Sequence, residues 1–236
     1  MREILKKGLD ELNISYSDTQ LDQIDTFYEM IIEKNKVMNL TRITDMEEYY
    51  IKHILDSLLI CNELVIDNKK IIDVGTGAGF PGIPIKIFFP DINITLMDSL
   101  NKRILFLEEV IRELGLSDIK TLHGRAEDIG KNKIYRESFD IAISRAVADM
   151  SVLTELCLPL VSVNGYFAAY KSNDSMEEIS KADNAIEIIG GSKPDIIEST
   201  LPCSDIKRKI VIVKKIRTTP EQYPRKAGIP SKKPIM

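Results

Sequence analysis

The stretch IIDVGTGAGFPG at residues 71–82 opens on two isoleucines, an acid and a valine, and glycine then fills four of the remaining eight positions. Glycine tolerates φ > 0 and close backbone approach but loses more conformational entropy on folding than any other residue. This density therefore marks a tight turn, or a backbone that a ligand approaches closely. The residues leading in, KIIDVG (70–75), read as a strand, and 82–89 as a short helix. In a doubly wound sheet the ligand sits at the carboxyl ends of the strands, so a turn at the end of such a strand is well placed to meet one.

The downstream chain keeps the same texture. INITLMD (92–98), DIKTLHG (118–124), FDIAISR (139–145) and GYFAAYK (165–171) read as strands, with two more near 195–200 and 207–216. Helices are expected at 100–115, 149–160 and 174–189, the first carrying Ile104, Leu107, Ile111 and Leu114 on one face. Strands alternating with helices imply an α/β fold with a mostly parallel sheet covered on both faces. Upstream, 17–36 is an amphipathic helix capped by Ser17 or Asp18, and 45–61 a second one capped by Asp45. NLTRIT (39–44) between them is too polar and β-branched to stay helical. The texture changes near 61–70, dividing a helical extension (1–62) from an α/β domain (63–236).

Composition narrows the class. A chain of 236 residues with 44% hydrophobic and 29% charged residues is ordinary for a globular protein. No apolar run approaches the ~20 residues of a membrane span, and the N-terminus lacks the apolar core of a signal peptide. Cys61, Cys157 and Cys203 are odd in number and lack the spacing of a metal site, so reduced thiols in a cytoplasmic protein are expected. The net charge of −4 hides an asymmetry: residues 207–236 hold ten Lys or Arg and one acid, a net +9 against −13 for the rest. Either an anionic partner or an edge strand guarded by lysines accounts for it.

The glycines choose between cofactors. A dinucleotide fingerprint starting at Gly75 needs glycine at 80, where Phe80 stands. The observed pattern, acid-x-G-x-G-x-G from Asp73 to Gly79, resembles the first motif of S-adenosylmethionine-dependent methyltransferases. Asp98 ends the second strand about twenty residues on, where an acid accepts hydrogen bonds from ribose hydroxyls; it or Ser99 also suits a helix cap. Ala126 and Glu127 in GRAED (124–128) come after the third strand, where that fold contacts adenine, and Arg145 ends the fourth, beside the donor methyl.

The residues after strand four bear on the acceptor. SRAV (144–147) is not the Asn/Asp-Pro-Pro-aromatic motif of exocyclic-amine methyltransferases, and Cys157 lies too far along for a pyrimidine-C5 nucleophile. A ring nitrogen with an in-plane lone pair, such as guanine N7, remains. Together MNLTRI (38–43), HILDSL (53–58), DVGTGAGFPGIP (73–84), DSLNKR (98–103), ISRA (143–146) and YPRKAGIPSKKPI (223–235) resemble the bacterial small-subunit rRNA methyltransferase G family, also called glucose-inhibited division protein B. The resemblance implies a Rossmann-like methyltransferase fold, its last hairpin antiparallel, with an N-terminal helical extension. It implies methylation of guanine N7 in 16S ribosomal RNA and no metal. It places Gly75, Gly77, Phe80, Asp98, Ser99, Leu100, Ala126, Glu127 and Arg145 on S-adenosylmethionine. Asn39, His53, Arg103, Arg225 and Lys226 would face RNA, with Arg145 orienting the acceptor.

Plainer readings stand beside these. His53 on an amphipathic helix reads as surface or core, Asn39 as a turn cap, Phe80 as core, and Lys102 with Arg103 as a solvated helix start. A small-molecule methyltransferase of the same fold explains the glycines but not the basic tail. A non-catalytic RNA-binding protein leaves the run from Asp73 to Arg145 without purpose, and a nicotinamide oxidoreductase is disfavoured by Phe80.

Overall fold

A computed structural model of the chain describes residues 2–145 and 148–236. Ala146, which closes the ISRA stretch, and Val147, which ends SRAV, lie outside the described residues. The chain begins with α1 (Arg2–Glu11), α2 (Asp18–Met38), α3 (Met46–Tyr49), a π-helical turn (Tyr50–Leu55), α4 (Asp56–Leu58) and a 3-10 turn (Leu59–Asn62). Next come β1 (Lys70–Val74), α5 (Gly82–Phe88), β2 (Asn93–Asp98), α6 (Asn101–Glu113), β3 (Ile119–His123), α7 (Ala126–Ile129) and β4 (Phe139–Arg145). The rest comprises α8 (Met150–Cys157), β5 (Val161–Ser172), α9 (Met176–Ser180), α10 (Asp183–Ile189), β6 (Asp195–Thr200), β7 (Lys207–Lys214) and α11 (Ile229–Lys232).

The strands form one sheet in the order β3-β2-β1-β4-β5-β7-β6. β1 to β5 run parallel, and β7 lies antiparallel between β5 and β6. Strand order reverses between β1 and β4, which makes the carboxyl end of β1 the natural crevice. Side chains alternate between two apolar layers. Ile71, Ile94, Leu96, Ile141 and Ile143 face one, joined by α1, α2, α5 and α6. Ile72, Val74, Met97 and Ala142 face the other, with α8 and α10. The helical extension thus shares its core with one face of the sheet.

Three elements depart from the expected pattern. The helix expected at 45–61 starts as read, with Asp45 capping Glu48 N at 2.9 Å, but widens to a π turn at Tyr50–Leu55. There the guanidinium of Arg145 donates to the carbonyl oxygens of Lys52 (3.3 Å) and His53 (3.5 Å), and a side chain inserted against a helical ladder distorts it. The helix expected at 174–189 splits into α9 and α10 around Lys181 and Ala182. β5 starts four residues before the expected 165, at Val161, because pairing continues past an irregularity opposite Phe139–Ile141.

Candidate active site

The glycine turn is stapled from both sides. Gly75 N and Thr76 N donate to Met97 O at 2.9 and 3.0 Å, tying the end of β1 to β2. Gly75 (φ 75°) and Gly77 (φ 63°) occupy the left-handed region that disfavours any side chain. Gly82 is needed for space instead: a Cβ there would lie 2.4 Å from Leu96 and 2.9 Å from Asp73. The motif acid, Asp73, accepts from Thr76 Oγ1 (2.6 Å) and Gly82 N (2.9 Å) through Oδ2. Its Oδ1 has no partner among the described residues. Burial pushes Asp73 up to about 7 against those two hydrogen bonds.

Beyond the turn lies a cavity of about 450 Å³, lined by Gly75, Asp98, Ser99, Ala126 and Glu127 from the expected cofactor set. Asp98 organises it, accepting from Leu100 N (2.8 Å), Gly77 N (3.0 Å) and Arg103 Nη1 (3.1 Å). Gly77 and Leu100 therefore act through their backbone N–H groups on Asp98, and the cap of α6 is Leu100 rather than Asp98 or Ser99. Val74, Met97 and Leu156 add apolar wall. A carboxylate at one place and apolar surface at another fit a ligand with a ribose diol and a purine, and the volume lies in the range of small-molecule sites. Glu127 Oε1 accepts from Gly228 N at 2.9 Å, so the tail braces this cavity.

Several expected contacts are placed elsewhere. Arg103, expected to face RNA, also lines this cavity and pairs with Asp98. Phe80 is buried, with its ring 4.3 Å from that of His53 and 5.3 Å from that of Phe27. This aromatic cluster joins the turn to the extension, so Phe80 does not line the cavity. Arg225, expected on phosphate, holds both oxygens of the buried Glu155, Nε at 2.9 Å and Nη2 at 2.5 Å. Asn39 is exposed in the left-handed region (φ 48°) and caps α2, and Lys226 is exposed.

Arg145 ends β4 beside a second cavity of about 470 Å³. Its Nη1 donates to Asp56 Oδ2 at 2.9 Å, and its Nη2 lies 3.3 Å from His53 Nδ1. An arginine can only donate, so His53 Nδ1 accepts, and its Nε2–H donates to Thr41 Oγ1 at 2.8 Å. Burial first, and the Arg145 cation second, push His53 down to about 3. His53 is thus a neutral bridge between the extension and Arg145 that lines this second cavity uncharged. Asp56 and Arg208, paired at 3.0 Å across 152 residues of sequence, join the same network. Nothing local signals that pair, although Asp56 lies inside the HILDSL stretch. Among the described residues no cluster of His, Cys, Asp or Glu is arranged to hold a metal ion, and no helix is long and apolar enough to cross a membrane.

The parallel sheet with its antiparallel last hairpin and the cavity between glycine turn and ribose-type acid define an S-adenosylmethionine-dependent methyltransferase. Solved structures agree on the fold. An S-adenosylmethionine-dependent O-methyltransferase from Thermotoga maritima matches with TM-score 0.55 at 15% identity, covering 80% of this chain and 73% of that one. TYW2 from M. jannaschii, determined with AdoMet, matches with TM-score 0.55 at 12% identity, covering 74% and 80%. Sequence comparison reaches the family. The model for GidB, rRNA small subunit methyltransferase G, matches residues 20–208. The ribosomal RNA small subunit methyltransferase G of Alkaliphilus metalliredigens (strain QYMF) is 50% identical over 98% of both chains. That of Acetivibrio thermocellus is 49% identical over 100% of this chain and 97% of its own. The chain belongs to the rRNA small subunit methyltransferase G family.

Proposed function

We propose that the protein methylates N7 of one guanine in the 16S RNA of the small ribosomal subunit, working in the cytoplasm where ribosomes are built. Asp98 would hold the cofactor's ribose hydroxyls, Ala126 and Glu127 its adenine, and Gly75 with Gly77 would let its amino-acid portion approach the backbone. Bound there, S-adenosylmethionine supplies a methyl group on a positively charged sulfur. The observation that carries the acceptor reading is the protonation chemistry around Arg145. His53 stays neutral with its Nδ1 lone pair held by Arg145, and both Asp56 oxygens are held by arginines. Guanine N7 carries a lone pair and no proton, so it needs orientation and not a base, and orientation alone is worth roughly 7–11 kcal/mol.

Labelled S-adenosylmethionine incubated with small-subunit RNA from cells lacking this enzyme tests the reading. The label is expected in a single nucleotide that digests to 7-methylguanosine. Label on another atom, or only on small molecules, would replace it.

A further inference from the structure

We propose that the second cavity receives the acceptor nucleotide, and that Asp56 is the positioning residue that sets Arg145 and Arg208 against its phosphate. This rests on the RNA-methylation reading above and assigns the place where the RNA enters the chemistry. The cavity lies between the carboxyl ends of β4 and β5, which supply Arg145, Tyr170 and Lys171, and the extension, which supplies Lys52, His53 and Asp56. Its ~470 Å³ is a small-molecule volume and accommodates one nucleotide.

Charge points to an anion. Lys52, Lys171, Arg145 and Arg208 line it with Asp56 and Glu178, and Lys52 also pairs with Glu48 at 2.6 Å, which leaves a surplus of one positive charge. Asp56 is buried and gives one oxygen to each arginine, Oδ2 to Arg145 and Oδ1 to Arg208. A single buried carboxylate between two guanidinium groups fixes both in place and neutralises only one of them. Nη2 of Arg208 makes no hydrogen bond among the described residues and stays available. Guanine itself favours the phosphate assignment. An arginine forked onto O6 and N7 is the common guanine contact, but it would cover the lone pair that must react. The arginine pair therefore serves the acceptor by holding its phosphate.

The experiment compares full-length wild type, Asp56→Asn, Arg208→Ala and the double variant. It measures kcat and KM for unmethylated small-subunit RNA at several salt concentrations, with cofactor affinity by calorimetry. Asp56→Asn is expected to lower kcat by on the order of 100-fold, the effect of misplacing an orienting group by about an ångström. Cofactor Kd should stay within about twofold, as for independent sites. Arg208→Ala is expected to raise KM and to flatten its logarithmic salt dependence by about 0.7–0.9, one phosphate contact. In the double variant the losses should fall short of additive, because both act through one contact. Strictly additive losses, or a folded Arg208→Ala with wild-type KM and salt slope, overturn the proposal. Arg208 is partly exposed, so that variant decides even where Asp56→Asn folds poorly. A wild type that labels no RNA overturns the methylation reading and this proposal together; a labelling wild type with indifferent variants overturns this proposal alone.

Discussion

Asp98 accepts two backbone N–H groups and one guanidinium, which holds its carboxylate on the cofactor cavity before any ligand arrives. Asp98→Ala should weaken S-adenosylmethionine binding by about 1.5–3 kcal/mol, the range for hydrogen bonds to a charged group. Calorimetry on the folded variant checks it, and unchanged affinity would remove the ribose role. His53 and Asp73 give a pH signature with opposite signs. His53 sits at about 3 in the fold against 6.5 free. Between these values the unfolded chain binds more protons, and stability falls as pH falls. Asp73 sits at about 7 against 3.8. Over that window the folded chain binds more protons, and stability falls as pH rises. Asp73→Asn removes the second slope and leaves the first. Its stability relative to wild type should drop by up to about 1.4 kcal/mol per pH unit on acidification from 6.5, read by urea unfolding. Parallel curves for the two proteins would mean that Asp73 is ionised in the fold. His53→Gln, by contrast, should leave the shape of the pH–rate profile unchanged, since His53 exchanges no proton near neutrality.

Elements show what was legible in the sequence and what was not. The strands and the glycine turn arise from local alternation and glycine spacing, so β1 to β4 fall within a residue or so of their expected bounds. The capping box at Ser17 is equally local, with Gln20 returning the bond to Ser17 N at 2.9 Å. The π turn at Tyr50–Leu55 was not legible, because its cause is an arginine some 90 positions away. Five of the nine expected cofactor residues line the first cavity, and two more, Gly77 and Leu100, support Asp98. Phe80 follows its core reading in packing on Phe27 and His53, partners from the extension that the glycine loop itself does not announce. The tail's summed charge overstates what is left unpaired. Four of its ten bases are held internally: Arg208 by Asp56, Lys209 by Glu198, Lys215 by Glu137 and Arg225 by Glu155. The neighbours Arg225 and Lys226 should therefore separate. Arg225→Ala leaves Glu155 buried without its partner and should cost toward the low end of the roughly 3–5 kcal/mol seen for broken buried pairs, since Arg225 is partly exposed. Lys226→Ala should leave thermal stability alone and flatten the salt dependence of RNA binding by about 0.7–0.9. Equal stability of the two variants would deny Arg225 its structural role.

At the scale of the whole molecule residues 217–236 close the structure. Arg136 donates to the carbonyl oxygens of Thr219 and Tyr223 at 2.7 and 2.8 Å, Glu155 receives Arg225, and Glu127 receives Gly228 N. β7, inserted between β5 and β6, is also the last strand to emerge in chain order. Synthesis runs from the N-terminus. A nascent chain therefore carries Glu127, Arg136 and Glu155 long before it carries the segment that binds them. Glu127 on the cofactor cavity gains its brace only with Gly228, and a chain not yet extended to position 225 holds Glu155 without its arginine. Truncation that removes residues 225–236 takes nothing from the sheet. Its effect should nevertheless resemble a deep truncation, with a destabilised chain cleared by quality control rather than a slightly shortened enzyme.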